Sequence, residues 1–183
     1  MNQQNTIQKI DEIERNPIGL PTIAAKEISE SLDKLVSSFS VQFHQYLKHH
    51  WLVEGPEHRD LHKFFEEIYE LTKEHMDAVA ERMTTLGAVP SSSLRAQAAK
   101  SFLESEIEGM IAIRQMLESD LANEQSLVAY TREAIMKANK LSDYGTETLL
   151  KGILMSRENQ AHEIVHYLSR DSLAKETQEK AVH

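Results

Sequence analysis

Four long stretches of this chain repeat apolar residues at steps of three and four. That is the period of an α-helix with one face in a core. The first, about 22–53, carries Ile28, Leu32, Leu35, Val36, Phe39, Phe43, Tyr46 and Leu47. The second, about 59–86, carries Leu61, Phe65, Ile68, Leu71, Met76, Val79 and Met83. Gly55-Pro56 separates these two, and Gly87 and Pro90 end the second. The third, about 104–139, has Ile107, Met110, Ile111, Ile113, Met116, Leu117, Leu121 and Leu127. The fourth, about 143–169, follows Ser142-Asp143 and has Leu149, Leu150, Ile153, Leu154, Ile164 and Val165. Between the second and third, Leu94, Ala98 and Phe102 predict a short helix inside a long connection. No strand alternation competes with this pattern. The expected fold class is all-α, a four-helix bundle with one long crossover.

At 183 residues the chain suits a single domain with a core of useful size. The expected limits are a bundle at 21–170, a flexible tail at 1–20 and a second tail at 171–183. With no cysteine, disulfides and thiolate metal sites are excluded. The amino terminus lacks the apolar core of a signal peptide, and no apolar run approaches the roughly 20 residues of a membrane span. A cytoplasmic location is the default expectation, with no membrane partner. A formal net charge of −9 favours cations over nucleic acid.

Residues 50–82 hold the candidate chemistry. His62 and Glu66 are four apart, as are Asp77 and Glu81, so each pair shares a helix face. Histidine nitrogen with carboxylate oxygen suits first-row metals such as iron. Glu66 and Asp77 are eleven residues apart. That is roughly three turns, which puts both pairs on nearly the same face about 16 Å apart. A single ion with ligands about 2 Å away cannot reach both pairs. If both serve one site, the second pair comes from another copy of the chain across a two-fold axis, and each dimer then has two equal sites. His50 would reach the same site from the end of the first helix.

The pattern His50-Trp51, Gly55-Pro56, Leu61-His62, Tyr69, Asp77-x-x-Ala-Glu-Arg at 77–82 and Gly87 resembles the Dps family of mini-ferritins (DNA-binding proteins from starved cells). The resemblance spans about 22–170. It implies a ferritin-like four-helix bundle whose short extra helix helps form the dimer, in a homododecameric shell. It also implies a ferroxidase site between subunits, with His50, His62 and Glu66 from one chain and Asp77 and Glu81 from the other. Position 66 is often Asp in the family. Glu is also a competent ligand, and its extra methylene shifts the metal. Trp51 would lie near the iron and take up an oxidising equivalent, though packing is the simpler role for it and for Tyr46. Asp143 and Glu147 match positions lining acidic three-fold pores. Capping of the fourth helix accounts for them equally well.

A ferritin with its iron pair inside the bundle needs Glu-x-x-His on two helices. Only Glu163-Ile-Val-His166 fits here, so the in-bundle site is disfavoured. His58, one turn before His62, is either an accessory ligand or an exposed histidine. His49 points about 100° away from His50 and is not expected to touch metal. His162 and His166, four apart, are either a chelating pair or a surface feature. His44 and His75 carry no pairing signal.

The resemblance therefore implies iron storage and detoxification. Iron(II) would be oxidised by hydrogen peroxide, or alternatively by oxygen, and stored as an iron(III) mineral. Zinc can occupy the same ligands. The competing function is a DNA-binding protein that protects the nucleoid, with iron secondary. Neither tail has a basic excess. Lys9 and Arg15 face Asp11, Glu12 and Glu14, while Arg170, Lys175 and Lys180 face Asp171, Glu176 and Glu179. DNA binding is not expected on that charge balance.

Overall fold

The computed structural model describes residues 6–169. Five helices make up the fold: α1 (Thr22–Leu52), α2 (His58–Thr85), α3 (Leu94–Lys100), α4 (Ile113–Lys140) and α5 (Tyr144–Tyr167). α1 packs along α2, α4 along α5, and the short α3 lies against α1. This is a ferritin-like bundle of four long helices with α3 inside the long α2-to-α4 crossover. The C-terminal tail expected at 171–183 lies outside the described residues.

Local chemistry sets the helix ends. Pro21 has an extended ψ, and its carbonyl accepts from the Ala25 amide at 2.9 Å, opening α1. Gly87 closes α2 at φ +83°, a left-handed conformation that costs glycine little. A Cβ at Gly87 would lie 2.3 Å from the Glu14 carbonyl oxygen, so no side chain fits there. Ser93 caps α3 and Asp143 caps α5, each accepting from the amide three residues on.

One expected helix boundary moves, and the N-terminal segment is anchored. The third long helix starts at Ile113 rather than near 104. Gly109, at φ +104°, breaks the helical path. Ile107 and Met110, read as core positions, are 71% and 53% exposed. The stretch before α4 is held instead by side chains. Ser101 Oγ donates to the Leu103 carbonyl, and Lys48 Nζ reaches Glu106 at 2.6 Å. The expected loose tail also differs, because residues 8–20 are irregular but anchored. The Glu14 amide donates to the Gly87 carbonyl at 2.9 Å, Asn16 is buried, and Ile13 and Leu20 pack on the core.

A polar cluster crosses the centre of the bundle. Arg157 on α5 is fully buried and donates to Glu124 of α4 at 3.1 Å and to Thr72 of α2 at 3.0 Å. Tyr46 of α1 donates its hydroxyl to the same Glu124 oxygen at 2.7 Å. Burial pushes Glu124 up, and Arg157 and the Tyr46 hydrogen bond pull it back. Burial, then the charge of Glu124, also raises the Tyr46 phenol. His75 points into the same region. Burial, then the Arg157 charge, holds it down to about 3, so it is neutral at physiological pH. Arg157 Nε and Nη2 and Glu124 Oε2 have no partner among the described residues. Desolvating this pair is therefore incompletely compensated.

Removing one member of the pair leaves the other as a bare buried charge. Arg157→Leu is expected to lower stability by about 3–5 kcal/mol, and adding Glu124→Leu should recover most of that. Chemical denaturation followed by circular dichroism checks both. Equal losses in the single and double variants would remove the pair from this role.

Candidate metal site and family

The α1–α2 turn brings His50 and His62 face to face. Their rings stack with centroids 3.7 Å apart and planes 22° from parallel. His50 Nδ1 donates to the His62 carbonyl at 2.9 Å, and His62 Nδ1 donates to the His50 carbonyl at 2.9 Å. A carbonyl oxygen only accepts, so both Nδ1 atoms carry hydrogen. In the neutral rings Nε2 then holds the free lone pair, which is the arrangement a metal-binding histidine needs. His58 also stacks on His62, at 5.1 Å and 15°. Tyr69 meets the His50 ring edge-on at 5.4 Å. The spacing read from sequence did not reveal this ring-on-ring stack.

Glu66, Asp77 and Glu81 are all exposed on α2. None of the three carboxylates has a salt bridge or hydrogen bond among those found in the described residues. α2 runs unbroken through all three, so Glu66 and Asp77 remain about 16 Å apart along the axis. Among the described residues, no three histidine, aspartate or glutamate side chains of one chain converge to hold an ion. The structure thus stacks His50 and His58 each on His62 without a converging ligand set, and leaves Asp77 and Glu81 about four turns or more from His62 along α2.

Trp51 is not a core aromatic in the single chain, being 67% exposed. It borders a groove of about 470 Å³ with Lys48, Leu94, Ala98 and Glu106. Tyr46, in contrast, is fully buried, as a core role requires. Asp143 is buried and serves as the α5 cap. It accepts from the Thr146 amide at 3.0 Å and from Arg82 Nη2 at 2.6 Å. Glu147 pairs with Lys151 at 2.5 Å and accepts from Asn139 at 3.1 Å, contacts that pull its carboxyl below the usual range.

His49 turns away from His50 into the core, fully buried. Its Nδ1 faces Asp120 at 2.8 Å and its Nε2 faces Glu106 at 3.0 Å. Burial favours the neutral ring, but the bonds and charges of Asp120 and Glu106 outweigh it and raise the pKa. With a carboxylate on each nitrogen, His49 has neither nitrogen open to a metal. Sequence reasoning missed this network. Its signal was Asp120 and Glu124, four apart, on the apolar face of α4 with Leu117 and Leu127. The Glu163-x-x-His166 motif lies on exposed positions of α5. The bundle centre is filled instead by the Arg157–Glu124 pair.

A family model described as a ferritin-like domain matches residues 29–174. A nutrient stress-induced DNA-binding protein of Synechococcus is 38% identical over 173 residues, covering 94% of this chain and 98% of that one. A DNA protection during starvation protein of Halobacterium salinarum is 38% identical over 149 residues, covering 81% of this chain and 82% of its own. The crystal structure of an archaeal Dps homologue from the same organism has a TM-score of 0.90 at 34% identity, covering 96% of this chain and 98% of that one. DpsC from Streptomyces coelicolor also gives 0.90, at 25% identity, covering 92% and 99%. Fold, motif and these likenesses agree, and the chain belongs to the Dps family of ferritin-like proteins.

Proposed function

We propose that this protein is an iron-storing, iron-detoxifying ferroxidase built as a shell of twelve chains. The observation that carries this reading is the His50–His62 stack. Each ring is locked in the tautomer that frees Nε2, and Glu66 lies one turn further along α2. Asp77 and Glu81 of a second chain would complete the ligand set, because one α2 cannot bring both pairs to one ion. The groove edged by Trp51 and Leu94, with the exposed Ile107 and Met110, is a suitable apolar face for that second chain.

Iron is the substrate here. Its divalent form suits imidazole and carboxylate, and unpaired carboxylates hold the product more tightly as its charge rises. Two iron(II) ions each supply one electron to hydrogen peroxide. With two protons, the peroxide leaves as two waters, so no hydroxyl radical is released. Oxygen is the alternative oxidant, and zinc the competing ion for the same ligands. A groove between α2 and α5 carries Asp60, Glu67, Glu70, Glu74 and Glu163, an acidic wall suited to depositing iron(III). The cytoplasm is the compartment in which such a store would act.

Replacing both His50 and His62 by Ala should abolish fast iron oxidation while the helical particle survives, since the core consists of the apolar stripes. The measurement is iron(III) absorbance after anaerobic addition of iron(II) and peroxide, with size exclusion as control. A wild-type rate in an intact particle would move the chemistry elsewhere.

In this reading Asp143 and Glu147 attract iron at the pores, although Asp143 shares its charge with Arg82. Glu147→Gln keeps the shape and removes a charge without disturbing the α5 cap. Initial oxidation should slow at low iron and stay normal at saturating iron. An unchanged rate at low iron would place uptake away from α5.

The second reading, DNA binding, is favoured by the name of the Synechococcus relative. The net charge of −9 opposes it. In a gel-shift titration at low salt and near-neutral pH, little or no complex is expected without bridging metal. Tight, salt-sensitive binding would reverse the order of the two readings.

A further inference from the structure

On α5, His162 and His166 stand apart from the iron chemistry proposed for α2. Both are exposed, one helical turn apart, and His166 sits in the last turn of the helix. Their rings meet edge-to-face with centroids 4.5 Å apart, and their Nε2 atoms approach to 3.0 Å. With no metal bound, this contact is an N–H···N hydrogen bond, one ring donating and the other accepting. It brings the two coordinating nitrogens within the span of one ion. Histidines at i and i+4 share a helix face, a spacing that metal sites use.

Held at this spacing, the pair favours one range of bond angle. With metal–nitrogen bonds of about 2.0–2.1 Å, nitrogens 3.0 Å apart subtend about 90–100° at the metal. A tetrahedral centre would hold them about 3.3–3.4 Å apart. Near-right-angle bonds belong to tetragonal and octahedral ions, and two imidazoles favour copper(II) most strongly among the common divalent ions. The site lies in the last turns of α5, where the partial negative charge of the helix end favours a cation. Glu163, between the two histidines, adds negative charge nearby. We infer that His162 and His166 form an accessory chelating site for a divalent transition ion with right-angle bonds, copper(II) foremost. Water completes the coordination. The donating ring moves its proton from Nε2 to Nδ1 by way of solvent when the metal enters, so both rings bind as neutral imidazoles and protons compete with the metal in acid.

The test uses copper(II) as the probe and the assembled full-length protein. His50→Ala with His62→Ala forms the background, so that the α2 ligands do not compete. Calorimetric titration should find one copper per chain bound through this pair. Electron paramagnetic resonance should show coupling to two equatorial imidazole nitrogens. His162→Gln and His166→Gln, made separately, should each weaken copper binding at least about tenfold, a loss of about 1.4 kcal/mol, and reduce the coupling to one nitrogen. In the otherwise wild-type chain, either substitution should leave iron(II) oxidation unchanged. That separates a failure here from a failure of the ferroxidase reading. Copper affinity and nitrogen coupling identical in background, His162→Gln and His166→Gln proteins would show a hydrogen-bonded surface pair only and overturn the inference.

Discussion

Glu124 is where the four long helices meet. Its Oε1 accepts from Tyr46 of α1 and from Arg157 of α5, and Arg157 also bonds Thr72 of α2. Because Arg157 and Glu124 are fully buried, each requires the other. Apolar stripes tolerate sliding by a turn, whereas this cluster satisfies its charges in one register. That register sets how far α1 reaches beside α2, and therefore where His50 lies relative to His62.

The same pair determines what the bundle centre can do. A guanidinium already neutralises the one glutamate there, and the neighbouring His75 is kept neutral by burial and by the Arg157 charge. A metal ion placed at the centre would meet a fixed positive charge. The outer face of α2 has the opposite character, with the unpaired Glu66 one turn from His62 and the unpaired Asp77 and Glu81 further along the helix. The polar residues of the interior and the exterior therefore have separate roles. The interior pair specifies register, and the exterior set is available for chemistry.

His49 and His50 show how one residue of offset separates those roles. On a helix the offset turns a side chain about 100°. His50 faces His62 and keeps Nε2 free. His49 enters the core, where Asp120 and Glu106 occupy both of its nitrogens. The contact with Glu106 also anchors the irregular stretch before α4, where Gly109 takes a positive φ. The late start of α4 follows from these two features. Ile107 and Met110 face outward, although their spacing matches the apolar stripe.

Periodicity alone determined four long helices, a short fifth and a long crossover, since apolar residues three and four apart have one favourable way to be buried. Ligand spacing alone determined that α2 carries two separated pairs, because helical rise is the same in every helix. Sequence did not decide which polar residues turn inward. Asp120, Glu124 and Arg157 look like surface residues until their partners on other helices are in place. Nor did it decide the tautomers of His50 and His62, set by carbonyls twelve positions away along the chain. The exposure of Trp51 likewise depends on tertiary structure. Local spacing places a residue on a helix face, but burial and hydrogen-bond partners depend on what packs against that face.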